Sequence, residues 1–365
     1  MDDAPATPTY VKWRENLERR PPDEDEVITK IIDVLHKNNE WAYKRNKHAI
    51  RDAHAKSHGI LQGKLTVDLQ DKALEQGLFQ NGATYDVIAR LSSTAGAIRS
   101  DQLRGVRGLG IKVLGGEGKR ALPGDQASTQ DFLLVTHREF PFADAHEYYK
   151  KGMPLAWLLA RVPDPILARF IDLAVWADRL HVPLPTTVAL FVTPNRPILG
   201  ETFYSSAPLR YGEYVAKLEL VPSSDSVKQL QAKEIDAAAG QNAQTDGVRE
   251  FFKTNTAEYE LRVQLCTDTD AMPIENATVP WSETASPHRR VATITFPRQD
   301  PYSDARREFG DDVLSFNSWR ALDVHRPLGS INRLKLRVYK ASSQFRHEMN
   351  NVAAVEPTDI TQLPN

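Results

Sequence analysis

Apolar and polar positions along this chain follow two periods, and the changes between them mark its elements. Val27, Ile28, Ile31, Ile32, Leu35 and Trp41 recur at helical spacing, which predicts a helix or helix pair over residues 24 to about 53. Alternation then takes over, and residues 64–69 and 86–92 read as strands, with 108–114 and 131–136 as two more. Residues 115–128, rich in Gly, Pro and polar side chains, form a loop between that last pair. Helical patterning returns at 143–151 and 165–181. A second set of strands follows at 201–204, 214–221, 259–266 and 290–296. In the last of these, Val291, Thr293 and Thr295 alternate with Ala292, Ile294 and Phe296, a β-branched enrichment that suits a pleated surface. Residues 223–253 are polar and partly helical. A final helix opens at Gly329 and Ser330, and neither Pro nor Gly interrupts it through Arg346. Strands, then helices, then strands, then a terminal helix predict an α+β fold. No repeat at solenoid periods is present.

At 365 residues the chain can bury a large core. Residues 1–25 carry Pro5, Pro8, Pro21, Pro22 and an acidic run, so they are expected to form a flexible arm. Residues 26–365 are expected to form a single domain: N-terminal helices at 26–60, strands with insertions at 61–300, a helical part at 301–350 and a tail at 351–365. A formal charge of -2 offers no overall footprint for nucleic acid or an anionic membrane. Cys266 is the only cysteine, which excludes an intrachain disulfide and a multi-cysteine zinc site. The most apolar stretch, 155–180, is broken by Arg161, Pro163, Asp164 and Arg169, so it is not read as a membrane span. The acidic N-terminus lacks the apolar core of a secretory signal, and a cytoplasmic location is expected.

Candidate chemistry concentrates in the terminal helix. Lys335, Tyr339 and Arg346 stand at i, i+4 and i+11, which is one helical face. A phenol ionises near pH ~10 when unperturbed, and a neighbouring cation or ferric centre favours the phenolate. Tyrosine-ligated haem iron uses this chemistry. Elsewhere, His54 and His58 lie four residues apart and would share a helix face as metal ligands. His48 falls off that face and, with His58, reads as a surface or capping residue. The glycine-rich stretch 108–119 contains neither a dinucleotide fingerprint nor a P-loop. There is no His-Glu-x-x-His pair and no Gly-x-Ser-x-Gly elbow, so a zinc or serine hydrolase has no support.

Four ordered segments resemble the haem catalases. Arg51-Asp52-Ala53-His54-Ala55-Lys56 resembles the segment in which an Arg precedes the distal His by three residues. Ala89-Arg90-Leu91-Ser92-Ser93-Thr94-Ala95-Gly96 resembles the family's Arg-Phe-Ser-Thr strand, and Val106-Arg107-Gly108-Leu109-Gly110-Ile111-Lys112 its Pro-Arg-Gly-Phe-Ala-x-Lys strand. The terminal helix resembles the proximal helix, with a cation four residues before the ligand Tyr and an Arg seven after it. Leu314-Ser315-Phe316-Asn317-Ser318-Trp319, followed by His325-Arg326-Pro327-Leu328-Gly329, is similar to the shortened, catalase-related peroxidase branch.

The resemblance implies an antiparallel eight-stranded β-barrel with helical insertions and a C-terminal helix carrying the haem ligand. It implies haem b, with Tyr339 as the iron ligand and His54 as acid-base residue oriented by Ser92. Arg51, Arg90 and Arg346 would pair haem propionates, Phe140 would pack on the porphyrin, and Lys335 would stand beside the ligand phenol. The substrate would be hydrogen peroxide or an organic hydroperoxide, with the electron donor unspecified, and a homo-oligomer is compatible. Two departures weaken efficient dismutation of hydrogen peroxide. Lys335 replaces an Arg and loses its planar fork. Residues 124–131 hold no Asn where the family has one; alignment puts Ala127 nearest, with Gln126 or Gln130 as substitutes. An allene oxide synthase acting on fatty-acid hydroperoxides, or a haem binder without turnover, are the alternative readings. Ala53 stands where the former have Thr.

Overall fold

A computed structural model describes residues 9–365. Nine strands occur among them: β1 (Ser57–Val67), β2 (Thr84–Ser93), β3 (Arg107–Val113), β4 (Gln130–Val135), β5 (Phe203–Tyr204), β6 (Leu209–Tyr211), β7 (Tyr214–Pro222), β8 (Ala257–Leu265) and β9 (Arg289–Phe296). They pair antiparallel in the order β5-β4-β3-β2-β1-β9-β8-β7, and β5 then pairs with β7 through Phe203↔Leu220 and Tyr204↔Glu219. Eight strands therefore close into a barrel. β6 takes the other half of the same β7 edge, through Leu209↔Ala216. Alternation fills the interior. Along β8, Ala257, Tyr259, Leu261 and Val263 are buried while Glu258, Glu260 and Arg262 are partly exposed. Leu61, Leu65, Phe79, Phe203, Phe252 and Phe296 join the same core, as the side chains of a small barrel should. Buried phenols find acceptors: Tyr259 donates to the Leu199 carbonyl at 2.7 Å and Tyr211 to that of Leu74 at 2.6 Å.

Helices of two turns or more are α1 (Glu24–Asn46), α2 (Met153–Arg161), α3 (Asp164–Arg179), α4 (Ala243–Thr254) and α5 (Ser330–Asn350). α1 packs on α5 through Val27, Ile28, Ile31 and Leu35 against Ile331, Leu334 and Val338. Arg333 of α5 locks the pair, with Glu18 and Glu24 at 2.7 Å and Glu275 at 2.8 Å. The N-terminal helix stops earlier than the expected residue 53. Lys47 enters the left-handed region (φ 56°) and its N–H caps the Tyr43 carbonyl at 2.8 Å, so residues 47–56 are irregular. β1 likewise starts at Ser57 rather than near residue 64. α2 is an element that the pattern did not predict; Pro154 at its start and a run of apolar residues hide its period.

The flexible arm expected to residue 25 is corrected for the part described; residues 1–8 lie outside the described residues. Val11 and Trp13 donate backbone N–H groups to the carbonyls of Cys266 (2.8 Å) and Glu213 (2.7 Å), and Arg210 lies over the Trp13 ring at 3.9 Å. Val11, Trp13 and Leu17 cover a small core of Val215, Met272, Trp281 and Leu328. The apolar anchors are few and scattered among charges, so average composition concealed them. The tail also returns to the barrel. Leu363 packs with Ile60, Ile88 and Leu114, and Glu356 reaches the Lys112–Asp131 pair buried behind β3 and β4.

Candidate active site

His54 sits in the irregular link between α1 and β1, not on a helix. Its φ is 59°, in the left-handed region that non-glycine residues enter at a cost of about 1 kcal/mol or more. Neighbouring backbone holds it there: its N–H donates to the Thr94 carbonyl at 3.1 Å and Arg90 Nη1 donates to its carbonyl at 2.9 Å. The ring Nδ1 lies 3.0 Å from Ser92 Oγ, which is itself 3.4 Å from the Gly108 carbonyl. If Ser92 donates to that carbonyl it accepts from Nδ1–H, which leaves Nε2 as the acceptor of the ring. Gly108 pairs with Ser92 across β2 and β3, and a Cβ there would come within 2.2 Å of the imidazole. Only glycine leaves room for the ring. Burial, with Arg90, Lys335 and Arg51 adding repulsion, depresses the His54 pKa to about 3. The imidazole is neutral at physiological pH.

Three guanidinium groups converge beside it. Arg51 donates to the carbonyls of Gly310 and Asp311 at 2.8 Å and Leu314 at 2.7 Å. Arg346 donates to the carbonyls of Asp311 (2.8 Å), Asp312 and Leu314 (3.1 Å), while its buried Nε has no partner among the described residues. Arg90 grips the Asp311 carboxylate through Nε (3.2 Å) and Nη2 (2.8 Å), and Ser57 donates to the same carboxylate at 2.8 Å. Burial raises the Asp311 pKa, but Arg90 and Arg51 outweigh it and hold the group below the ordinary carboxylate range. Asp311, with Asp312 and Asp52 nearby, offsets the three guanidiniums only in part. Burial and the repulsion of Arg90 and Arg346 push Arg51 well below its ordinary pKa, and burial with the repulsion of Arg90 brings Arg346 down to about 10.

The α5 face contributes Lys335, Tyr339, Ser342 and Arg346. Ser342 Oγ donates to Asp52 Oδ1 at 2.8 Å, which ties this helix to the residue two before His54. No hydrogen-bond partner meets the Tyr339 hydroxyl or the Lys335 ammonium among the described residues. Burial depresses the Lys335 pKa to about 8. Burial, with Asp52 and Tyr148 adding, raises that of Tyr339 above the ordinary phenol range. Phe140 follows β4 and presents its ring to Lys335 Nζ at 5.8 Å.

A cavity of about 440 Å³ brings these groups together, and Arg51, His54, Arg90, Ser92, Phe140, Lys335, Tyr339 and Arg346 all line it. Leu103, Val106, Leu133, Leu159, Leu167 and Phe191 form much of the remaining wall. Sequence reasoning missed Asp311, which lies in a π-helical turn at Phe309–Val313 with no periodic signal, and the cavity residues Asp52 and Tyr148. His58 is corrected. It is fully buried on β1, with Ser93 at 2.8 Å and Thr245 at 3.3 Å, and shares no helix face with His54. His48 is half-exposed against Asp312 at 2.7 Å. Neither Gln126 nor Gln130 enters the cavity wall, and Gln130 instead accepts from the Leu322 N–H at 2.9 Å. Ala127 is likewise outside that wall.

The same architecture occurs in solved catalases. Superposition on a fungal catalase gives a TM-score of 0.58 at 15% identity, covering 99% of this chain and 73% of that one. A bacterial catalase gives 0.55 at 14% identity, covering 91% of this chain and 63% of the other. Catalase A from Saccharomyces cerevisiae gives 0.58 at 15% identity, covering 97% and 74%. No family model and no curated protein matches the sequence. The chain has the catalase fold, an antiparallel eight-stranded barrel with helical insertions. No helix among the described residues is long and apolar enough to cross a membrane.

Proposed function

We propose that this protein is a haem-dependent oxidoreductase that cleaves the O–O bond of hydrogen peroxide or an organic hydroperoxide. The observation that carries the reading is a neutral His54, held through Nδ1 by Ser92, in one cavity with the unpartnered phenol of Tyr339. The residues fit haem on their own chemistry. The cavity joins apolar walls to the cationic side chains of Arg51, Arg90 and Arg346, a combination that suits an apolar ligand bearing carboxylates. The orphaned Nε of Arg346 is a buried donor available to such a carboxylate. Tyr339 would hold the iron, Lys335 would favour the phenolate, and Phe140 would pack on the ring.

When bound, haem supplies a Lewis-acidic ferric iron and the electrons that peroxide cleavage requires. His54 Nε2 takes the proton of one peroxide oxygen and delivers it to the leaving oxygen, and Ser92 keeps the tautomer that permits this. Apolar side chains such as Leu103 and Leu133 exclude water and favour an organic hydroperoxide over hydrogen peroxide.

Reconstitution with haem tests both assignments. Tyr339→Phe loses the Soret band while the barrel stays folded; full occupancy with an unchanged spectrum refutes Tyr339 as the residue that would hold the iron. His54→Ala keeps haem but slows cleavage of cumene hydroperoxide by at least about 100-fold. The exposed His36→Ala is the matched control, because His58→Ala would disturb a buried network. Equal losses in both variants would show that His54 is not the acid-base residue.

A further inference from the structure

α3 is apolar on two flanks, and among the described residues only one is covered by its own chain. Leu167, Ile171 and Ala174 are buried, and Leu167 reaches the cavity wall. The other flank presents Ile166, Phe170, Leu173, Trp176 and, at the helix end, Leu180, each between 50% and 60% exposed. Trp157 and Leu158 of α2 are about half exposed as well. Together these side chains offer on the order of 800 Å² of apolar surface, roughly what one partner contributes to a standard interface. Contiguous apolar surface of this size marks an interaction site.

The spacing of the stripe selects the partner. Steps of four, three, three and four residues separate its members, so the stripe reads the same in both directions from Leu173. Two such helices packed antiparallel about a two-fold axis would place Leu173 against its own copy, Phe170 against Trp176, and Ile166 against Leu180. Arg169 would then stand beside Asp178 of the second copy, once on each side of the axis. Charge is balanced over α2 and α3, with Arg161, Arg169 and Arg179 against Asp164, Asp172 and Asp178. A helix pair built for an anionic lipid surface would carry a cationic excess. We infer that α3 is the core of an isologous homodimer, in which two copies of this chain pack α3 against α3 around Leu173. The second copy also buttresses the cavity, since Leu159 and Leu167 line it from the inner faces of the same two helices.

The test uses the full chain and is independent of any cofactor. Sedimentation of the wild type should show a dimer at roughly 100 μM, and Leu173→Asp, which sets two like charges together, should weaken association at least about 100-fold with unchanged circular dichroism. Leu173→Cys should crosslink to itself with a short bis-maleimide, because the native Cys266 is buried, whereas Val355→Cys in the tail should not. If Leu173→Asp fails to fold, the crosslink decides alone. A wild type that stays monomeric overturns the inference, including one that instead pellets with phosphatidylcholine vesicles. A dimer that survives Leu173→Asp, or that forms without crosslinking at position 173, overturns it as well.

Discussion

Lys335 shows how one side chain can be unfavourable for the fold and favourable for the site. Its ammonium faces the cavity with no ion-pair partner among the described residues, and the Phe140 ring lies 5.8 Å from it. Replacing a buried, unpaired charge by an apolar chain of similar length removes a desolvation penalty. Lys335→Met should therefore stabilise the cofactor-free protein by on the order of 1 kcal/mol. The same change should weaken haem retention, because Tyr339 loses the one cation a helical turn before it and its proton is already held tightly. Thermal melting of the haem-free variant and titration by Soret absorbance report the two effects separately. A melting point that falls together with affinity would mean that Lys335 has a stabilising partner after all. Arg51, Arg90 and Arg346 could be picked out from their motifs, yet the carbonyls of Asp311 and Leu314 that Arg51 and Arg346 share could not, since backbone carbonyls carry no signature in a sequence.

Among the elements, legibility followed how strictly each one buries a single face. β2, β3, β4, β7, β8 and β9 alternate or run apolar and were recognisable to within about two residues at either end, the usual uncertainty of a boundary. β5, which closes the barrel, is only the last two residues of the strand expected at 201–204, and β6, three residues long, is too short for any period to appear. The α1–α5 pair was visible as two amphipathic helices, while its lock was not. Arg333 joins three carboxylates from distant parts of the chain, and Glu24 among them is fully buried. Removing Arg333 leaves that carboxylate with only the Ser330 hydroxyl at 2.6 Å and Arg20 at 3.4 Å, so Arg333→Leu should cost about 3 kcal/mol. Arg333→Lys should recover only part, because an ammonium cannot fork toward several partners. Urea unfolding of the two variants ranks them; equal stabilities would mean that charge alone matters there.

At the scale of the whole molecule, acid is the expected weakness. Burial depresses His54 and His325 to about 3, His288 to about 4, and His58 well below its ordinary value. Unfolding releases each to a pKa near ~6.5, so between those limits the unfolded chain binds more protons. The stabilisation is fully present above pH ~6.5 and is lost as pH falls through the window. Burial raises the carboxyls of Asp52, Asp131, Glu201 and Glu219, which act with the opposite sign, but the depressed histidines, His137 and His347 included, outnumber them. The urea midpoint should therefore fall between pH 7.5 and pH 5, and a flat or rising midpoint would contradict the buried, neutral histidines. The tail contact at Lys112 has a further consequence, during synthesis. Its ammonium is fully buried between Asp131 and Glu356, and β1 pairs with β9, so early strands depend on residues that leave the ribosome much later than they do. Until then the nascent chain exposes the open edge of β1 and an incompletely neutralised Lys112, a state that favours chaperone capture over co-translational closure of the barrel.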